Sequence, residues 1–268
     1  MSLVSTPTVA LVRRWAVDWL GGQHAEACDD VLAPEYTLLI GGYLLGPRAT
    51  YVPATLAQLS RYPGLLVTAH QVIASGDRVA LVFTESGASV RLGGRTAAWS
   101  GVSLFRSDGS RLTHCWAEED YYGRRRQLES RVCDPIAAPT PAPWDTVPQP
   151  ADPTAEEVVR AWLAGPDLRS AEVVCDDEAT GQPAERLLDV ASCEVSELFS
   201  AGDQVAFSAV QTGRYLGGLD GLDDLVGQTA VLNAAGLVQV QGGRVVGGRV
   251  ARDRLGTART LRETAPHA

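Results

Sequence analysis

The chain begins with helical periodicity and then changes to strands. Apolar residues recur at helical spacing from Val9 to Trp19, and two more short helices and the strand YTLLI follow before Gly64. The segments LLVTAHQVIA, RVALVFTES, WSGVSLFRS and RLTHCWAEED then predict four strands joined by tight turns. This order predicts an α+β fold in which helices pack on one face of a curved, mainly antiparallel sheet and enclose a cone.

Three blocks of the first half recur, in the same order, in the second half. The matched blocks are 12–15 with 159–162, 74–87 with 200–213, and 103–128 with 236–261. The spacing between the first two blocks is shorter in the second copy, by about one helix and one strand. We therefore predict two diverged copies of one cone-shaped domain, the second of them shortened.

Prolines mark the boundary between the copies. Seven of the 15 prolines lie between residues 130 and 153. Proline removes a backbone donor and disfavours helix in the residue before it, so this segment is predicted to be an extended linker. The predicted division is a first domain at 1–130, a linker at 131–153 and a second domain at 154–268. Trp144 is expected to hold the linker against a domain.

Charge and composition narrow the possible partners. The formal net charge is −9, which disfavours a nucleic-acid partner because phosphate backbones are repelled. Neither a long apolar run nor a leader sequence is evident, so no membrane contact is expected. The five scattered cysteines lack a CxxC motif and are expected to be reduced thiols in a cytoplasmic protein. The chain has no lysine, which excludes Schiff-base chemistry through a lysine side chain.

The segment LFRSDGSRLTHCWAEEDYYGRRRQL carries a family resemblance. Trp116, Asp120, Gly123 and the Gln127-Leu128 pair have the spacing found in the last hairpin and helix of the SnoaL-like polyketide cyclase group. That group belongs to the nuclear-transport-factor-2-like superfamily. The resemblance covers about 8–130 well and 154–262 weakly. It implies a cone with a ligand pocket in the first copy, and no cofactor.

The resemblance also implies how the domains pair. Members of the superfamily commonly associate through their sheets, so the second copy would take the place of a partner subunit in an intrachain pseudo-dimer. The whole chain could then be a monomer or a homodimer. The superfamily contains cyclases, isomerases, epoxide hydrolases and non-catalytic binders, so the activity is not fixed by the fold.

Asp120 is the first candidate catalytic residue. The resemblance implies that its carboxylate points into the cone and moves a proton. The alternative is a structural carboxylate that caps a turn or pairs with Arg124. His70 is the second candidate, either as the proton partner of Asp120 or as a residue that orients a substrate carbonyl. Its alternative role is that of an ordinary core histidine.

The expected substrate-binding residues are largely aromatic. Trp116, Trp99 and Tyr36 are predicted to form walls of the pocket. Alternation along RLTHCWAEED places His114 and Glu118 on the same strand face as Trp116 and Asp120, so both join the predicted set. No metal-ligating motif is present, and no metal is expected.

These observations favour a cofactor-independent enzyme that transfers protons on a small apolar, oxygenated metabolite, in the manner of a cyclase or isomerase. One alternative is an epoxide-opening ether cyclase or epoxide hydrolase, which requires a second carboxylate, Glu85 or Glu118, beside Asp120. Another alternative is a small-molecule-binding or scaffold protein without catalysis.

Overall fold

Helices open the N-terminal domain, as predicted. The computed structural model describes residues 6–165, 168, 172–176 and 185–264. The Thr6 side chain caps the first helix by accepting a hydrogen bond from the Val9 N–H. The helices are α1 (Pro7–Arg14), which continues as a π-helical segment (Trp15–Gly21), α2 (Ala27–Val31) and α3 (Arg48–Leu59).

The first sheet has six strands and is followed by a helix. The elements are β1 (Leu32–Ile40), β2 (Tyr43–Leu45), β3 (Leu66–Ser75), β4 (Arg78–Ser89), β5 (Arg95–Ser107), β6 (Leu112–Glu119) and α4 (Tyr121–Ser130). Their order in the sheet is β2-β1-β6-β5-β4-β3. Strands β1 and β6 are parallel, and every other neighbouring pair is antiparallel.

The second sheet repeats this arrangement with five strands. The elements are α5 (Pro153–Leu163), β7 (Val173–Cys175), β8 (Leu188–Ala201), β9 (Gln204–Tyr215), β10 (Thr229–Gln241), β11 (Arg244–Arg252) and α6 (Arg254–Thr264). The order is β7-β11-β10-β9-β8, and β7 is parallel to the last strand, as β1 is in the first sheet. The predicted α+β class with two cone-shaped domains is confirmed.

Local hydrogen bonds recur at positions paired by the sequence alignment. The Asp120 N–H donates to the Ser100 carbonyl, and the Asp253 N–H donates to the Asn233 carbonyl, each at 2.8 Å. Both aspartates also cap the helix that follows, α4 or α6. The geometry supports the alignment, and descent from one duplicated domain stays a prediction. In the described residues between α5 and β8, one short strand lies where the first domain has α2, β1, β2 and α3.

The two sheets pack face to face through small and aliphatic side chains. Helices cover the inner face of the first sheet, and the second sheet covers its outer face. The interface residues are Ile73, Ala80, Val82, Val102, Leu104 and Trp116 from the first sheet, and Phe199, Ala201, Ala206, Ala235, Leu237 and Ala251 from the second. The many alanines allow close approach of the two sheets, so the first sheet is buried on both faces.

The proline-rich segment follows the edge of β3. Its Thr140 hydroxyl donates to the His70 carbonyl, and its Gln149 N–H donates to the Ala74 carbonyl at 3.0 Å. Trp144 is partly buried against the core of the first domain, as expected. Within the described ranges, no helix has the length and apolar character needed to cross a bilayer.

Gly101 leaves room for an aromatic ring on the inner face. It lies opposite Phe83 on β4, and a Cβ atom at this position would overlap the Phe83 ring. We expect Gly101→Ala to lower the free energy of unfolding by about 1–3 kcal/mol, because the added methyl group overpacks a filled core. The measurement is urea denaturation.

Gly247→Ala is the matched control for this prediction. Gly247 is also in a strand, but its added Cβ would meet its nearest neighbour atom at an ordinary 3.6 Å. Its stability should stay unchanged or rise slightly. An equal loss of stability in both variants would contradict the packing argument.

Candidate acid-base site

The inner face of the first sheet changes from apolar to acidic toward the mouth of the cone. Its deep end is closed by buried aromatic side chains, among them Trp15, Trp19, Tyr36, Tyr51 and Phe105. The Tyr51 hydroxyl accepts hydrogen bonds from both indole N–H groups, at 3.3 Å from Trp15 and 3.0 Å from Trp19. The deep end is therefore a packed aromatic core.

Two carboxyl groups meet at the mouth of this cone. Glu85 on β4 lies directly opposite Trp99 on β5, and Glu119 lies opposite Gly101 at the end of β6. The Glu85 and Glu119 carboxyl groups lie within hydrogen-bond reach of each other. The Trp99 indole N–H also donates to Glu119 Oε2 at 2.8 Å. Glu119 retains partial solvent exposure, whereas Glu85 is buried.

The surroundings of the pair determine which carboxyl group keeps a proton. Burial raises the pKa of Glu85 well above its ordinary value, and the charge of Glu119 raises it further. Burial also raises the pKa of Glu119, but hydrogen bonds from Trp99 and Tyr121 and the charge of Arg124 oppose the rise. Of the two, Glu85 is therefore the carboxyl group that keeps a proton more readily. One acid and one base then stand side by side.

Arg124 supplies positive charge at the same mouth. Its guanidinium carbon lies 4.1 Å from the ring centroid of Tyr121, 4.8 Å from Trp99 and 5.4 Å from Tyr62. Stacking on three rings fixes the position of the guanidinium group and keeps it beside the two carboxyl groups. Arg124, the alternative ion-pair partner predicted for Asp120, therefore contacts these rings and lies beside the acid pair instead.

Asp120 lies outside this site and bonds to the second domain. Its Oδ1 atom accepts hydrogen bonds from the Gly123 N–H at 3.0 Å and from Arg254 Nη2 at 2.6 Å. Arg254 also contacts Asp176, which pairs with Arg252 at 2.7 Å. The expectation that Asp120 points into the cone is not met, because the strand alternation turns its side chain to the outer face. The cap and ion pair correspond to the structural alternative, with Arg254 in place of Arg124.

Three other predicted substrate-binding residues share the outer face with Asp120. His114 and Trp116 are stacked with ring centroids 5.6 Å apart, and Trp116 packs into the interface between the sheets. Glu118 is buried and accepts a hydrogen bond from the Gly41 N–H at 3.0 Å. The alternation along β6 was predicted correctly. The side chains that face the cone, however, are the other set, which consists of Cys115, Ala117 and Glu119.

His70, Trp99 and Tyr36 have separate environments. His70 lies where the pairing of β3 with β4 is irregular, and its Nε2 atom is 2.8 Å from the Thr84 hydroxyl. Burial lowers the His70 pKa, as does the charge of Arg249. Tyr36 lies at the closed end of the cone, in an edge-to-face contact with Tyr51. Of the predicted aromatic walls, Trp99 is the one that touches the acid pair.

Glu119 and Arg124 are the residues of this candidate site that the sequence analysis did not assign to it. A usable signal was present in RLTHCWAEED, because Cys115 and Ala117 are small and apolar and share a strand face with Glu119. Among the described residues, no three His, Cys, Asp or Glu side chains converge in a way that could hold a metal ion.

Comparison with known proteins gives structural matches to about half of the chain. A proposed polyketide cyclase from Acidithiobacillus ferrooxidans is 22% identical, with a TM-score of 0.43, over 48% of this chain and 99% of that chain. A proposed SnoaL-like polyketide cyclase from Jannaschia sp. CCS1 is 16% identical, with a TM-score of 0.44, over 48% and 96%. IdmH from Streptomyces antibioticus, a proposed polyketide cyclase, is 16% identical, with a TM-score of 0.41, over 46% and 98%. No family model and no curated protein matches the chain.

The placement of Asp120 predicts a loss of stability on substitution. In Asp120→Asn the side chain can still cap α4, but it loses the charge that faces Arg254. We expect the free energy of unfolding to fall by about 1.5–3 kcal/mol, the usual cost of losing a hydrogen bond to a charged group. The measurement is a thermal or urea melt of the purified chain.

Asp253→Asn provides the matched control at the position paired with Asp120. Asp253 also caps its helix, but burial raises its pKa, so the charged form is disfavoured there. Asparagine keeps the cap and removes the buried charge, and stability should change little. A stable Asp120→Asn variant would instead support a proton-transfer role for Asp120.

Glu118 makes the stability of the fold dependent on pH. Burial raises its pKa well above the ordinary value, and the neighbouring Asp253 adds to the shift. A raised folded-state pKa contributes stability below the ordinary glutamate pKa of about 4.3, and this contribution is lost as pH rises toward the folded-state value. We expect Glu118→Gln to be more stable than wild type by about 1–3 kcal/mol at pH 8, with little difference near pH 5. Urea titrations at several pH values measure this, and a loss of stability at pH 8 would contradict it.

Proposed function

We propose that this protein is a cofactor-independent enzyme that transfers protons on a small, largely apolar, oxygenated metabolite. Glu85 and Glu119 are the proposed acid-base pair. The observation that carries the proposal is the placement of these two carboxyl groups side by side on one face of the first sheet, where the Trp99 indole N–H donates to Glu119 at 2.8 Å. Such pairs separate the two pKa values and leave an acid and a base at one site near neutral pH.

The arrangement suits proton removal from a carbon beside a carbonyl group. Glu119 is the more exposed and the ionised member, so it is the base that takes the proton. The guanidinium group of Arg124 stabilises the negative charge that develops on the substrate oxygen. Returning the proton from Glu119 to another carbon isomerises the substrate. In the other route the carbanion attacks a second carbonyl group and closes a ring, and the alkoxide that results takes the proton back from Glu119. Either route restores the protonation of the pair.

The same pair also suits epoxide opening, the second candidate function. That reaction needs an acid for the epoxide oxygen and a base for the attacking hydroxyl group or water. Glu85 would protonate the oxygen while Glu119 accepts the proton of the nucleophile. The observation that favours this candidate is that both groups are carboxyls within hydrogen-bond reach of each other.

Proton exchange provides a test that needs no knowledge of the natural substrate. Cyclic and aromatic ketones are incubated with the protein in D2O, and loss of the α-proton signal is followed by NMR. Styrene oxide and cyclohexene oxide are assayed in parallel for ring opening. We expect Glu119→Gln to lower the rate of the active probe by about 10²–10⁴-fold, the usual contribution of general acid-base catalysis. Glu85→Gln should also be strongly impaired.

Glu129→Gln is the matched control, since Glu129 is exposed and pairs only with Arg125 within the part of the chain that the structure describes. It should retain full activity. The Glu85 and Glu119 variants should fold normally, because each removes a buried carboxyl group. Probes that bind without exchange or ring opening would favour the non-catalytic alternative, as would equal rates in wild type and Glu119→Gln.

A further inference from the structure

A second cleft lies between the two domains, on the side of the first sheet that faces away from the cone. It is bounded by the outer face of the first sheet, by linker residues 134–137 and by the second domain. Its volume is about 220 Å³. Pockets for drug-sized ligands are typically about 300–1,000 Å³, so this cleft has room for a smaller molecule.

The acidic groups of the cleft are each neutralised by an arginine. Asp120 pairs with Arg254, as described above. The other two pairs in the cleft wall are Asp134 with Arg126 and Asp176 with Arg252. These three carboxylates therefore leave little net negative charge facing the cleft.

Arg249 adds a positive charge that this network does not balance. It lies on β11, lines the cleft and is partly buried. Across residues 6–165, 168, 172–176 and 185–264, its guanidinium group has no hydrogen bond or ion pair to a protein group, although its backbone is paired in the sheet. Burial lowers its pKa, as expected for a cation without a compensating carboxylate. A partly buried guanidinium group of this kind favours an anion from outside the chain.

The fold itself does not require an arginine at this position. The alignment of 103–128 with 236–261 pairs Arg249 with Trp116 of the first domain. Trp116 is instead packed between domains, stacked on His114 and with Arg106 above its ring. The charge is thus specific to the second domain and to the cleft.

The other lining groups indicate the character of the anion. Pro135, Ile136 and Ala137 give the cleft an apolar wall, and Thr84 and Ser100 add hydroxyl groups. The Thr84 hydroxyl is bonded to His70, a side chain that burial keeps neutral at pH 7 and that adds no second positive charge. One cation beside an apolar wall matches a singly charged organic acid better than a phosphate dianion.

We propose that this interdomain cleft binds a small monocarboxylate. The carboxylate pairs with the guanidinium group of Arg249, and the apolar body of the ligand lies against Pro135 and Ile136. This site is separate from the acid pair, which lies on the opposite face of the same sheet.

Benzoate is the probe for this proposal, and its binding to the full chain is measured by isothermal titration calorimetry. Saturable binding of benzoate is expected, with much weaker binding of the neutral analogue benzamide. Arg249→Gln should weaken benzoate binding at least about tenfold, because a charge-assisted, bidentate contact is lost. Arg244→Gln, on the exposed start of the same strand, should bind as wild type does. Glu119→Gln should also retain binding, since its carboxyl group faces the cone.

Three results would overturn the proposal. The first is equal affinity for benzoate in wild type and Arg249→Gln, or no saturable binding by either. The second is tighter binding of inorganic phosphate than of benzoate, which would indicate a general anion site. The third is a clear fall in the melting temperature of Arg249→Gln in the absence of ligand, which would show that Arg249 stabilises the fold through a protein partner.

Discussion

Face-to-face packing of the two sheets is the constraint on which the rest of the structure depends. The second sheet covers the outer face of the first sheet, so polar side chains there have lost access to bulk water. A buried charge without a partner is strongly unfavourable. In the interface the charges are therefore paired, in a chain of ion pairs that runs from Asp120 through Arg254 and Asp176 to Arg252. These charges of the domain interface are thus held in fixed pairs. The Arg249 guanidinium group differs from them because no carboxylate pairs with it in the part of the chain that the structure describes.

The inner face follows a different rule at its mouth, where Glu119 and Arg124 are only partly buried. Glu85 and Glu119 are held together although burial disfavours both charges. A core optimised for stability alone would not place two carboxyl groups there. The charge of Arg124 and the hydrogen bond from Trp99 lower the pKa of both carboxyl groups, and Tyr121 adds a hydrogen bond to Glu119, so the charged form is favoured more at Glu119. That difference between the two carboxyl groups supports the proposed role of the pair in proton transfer.

The elements and their order could be predicted from the sequence, but the face that each strand presents to the cone could not. Periodicity located the helices and the four long strands, and the glycine turns gave their boundaries. Alternation along β6 correctly grouped Asp120 with Trp116. The two-residue period of a strand shows which side chains share a face, but it does not show which face lies inside the cone. Burial could not decide this here, because both faces of this sheet are buried. The continuous apolar run Val79–Phe83 was the signal of two buried faces. The pairing of Asp120 with Arg254 joins distant parts of the chain and has no local signal.

Comparison of the two domains separates what the fold needs from what a site needs. Both keep the capping aspartate, Asp120 or Asp253, so that carboxylate belongs to the start of the last helix. The acid pair occurs in one domain only. The positions aligned with Glu85 and Glu119 are Gln211 and Arg252. Gln211 donates to the Leu163 carbonyl, and Arg252 is paired with Asp176, so both are satisfied within the protein. At these aligned positions the second domain has fixed contacts where the first domain has the acid pair, so the proposed proton transfer belongs to the first domain alone.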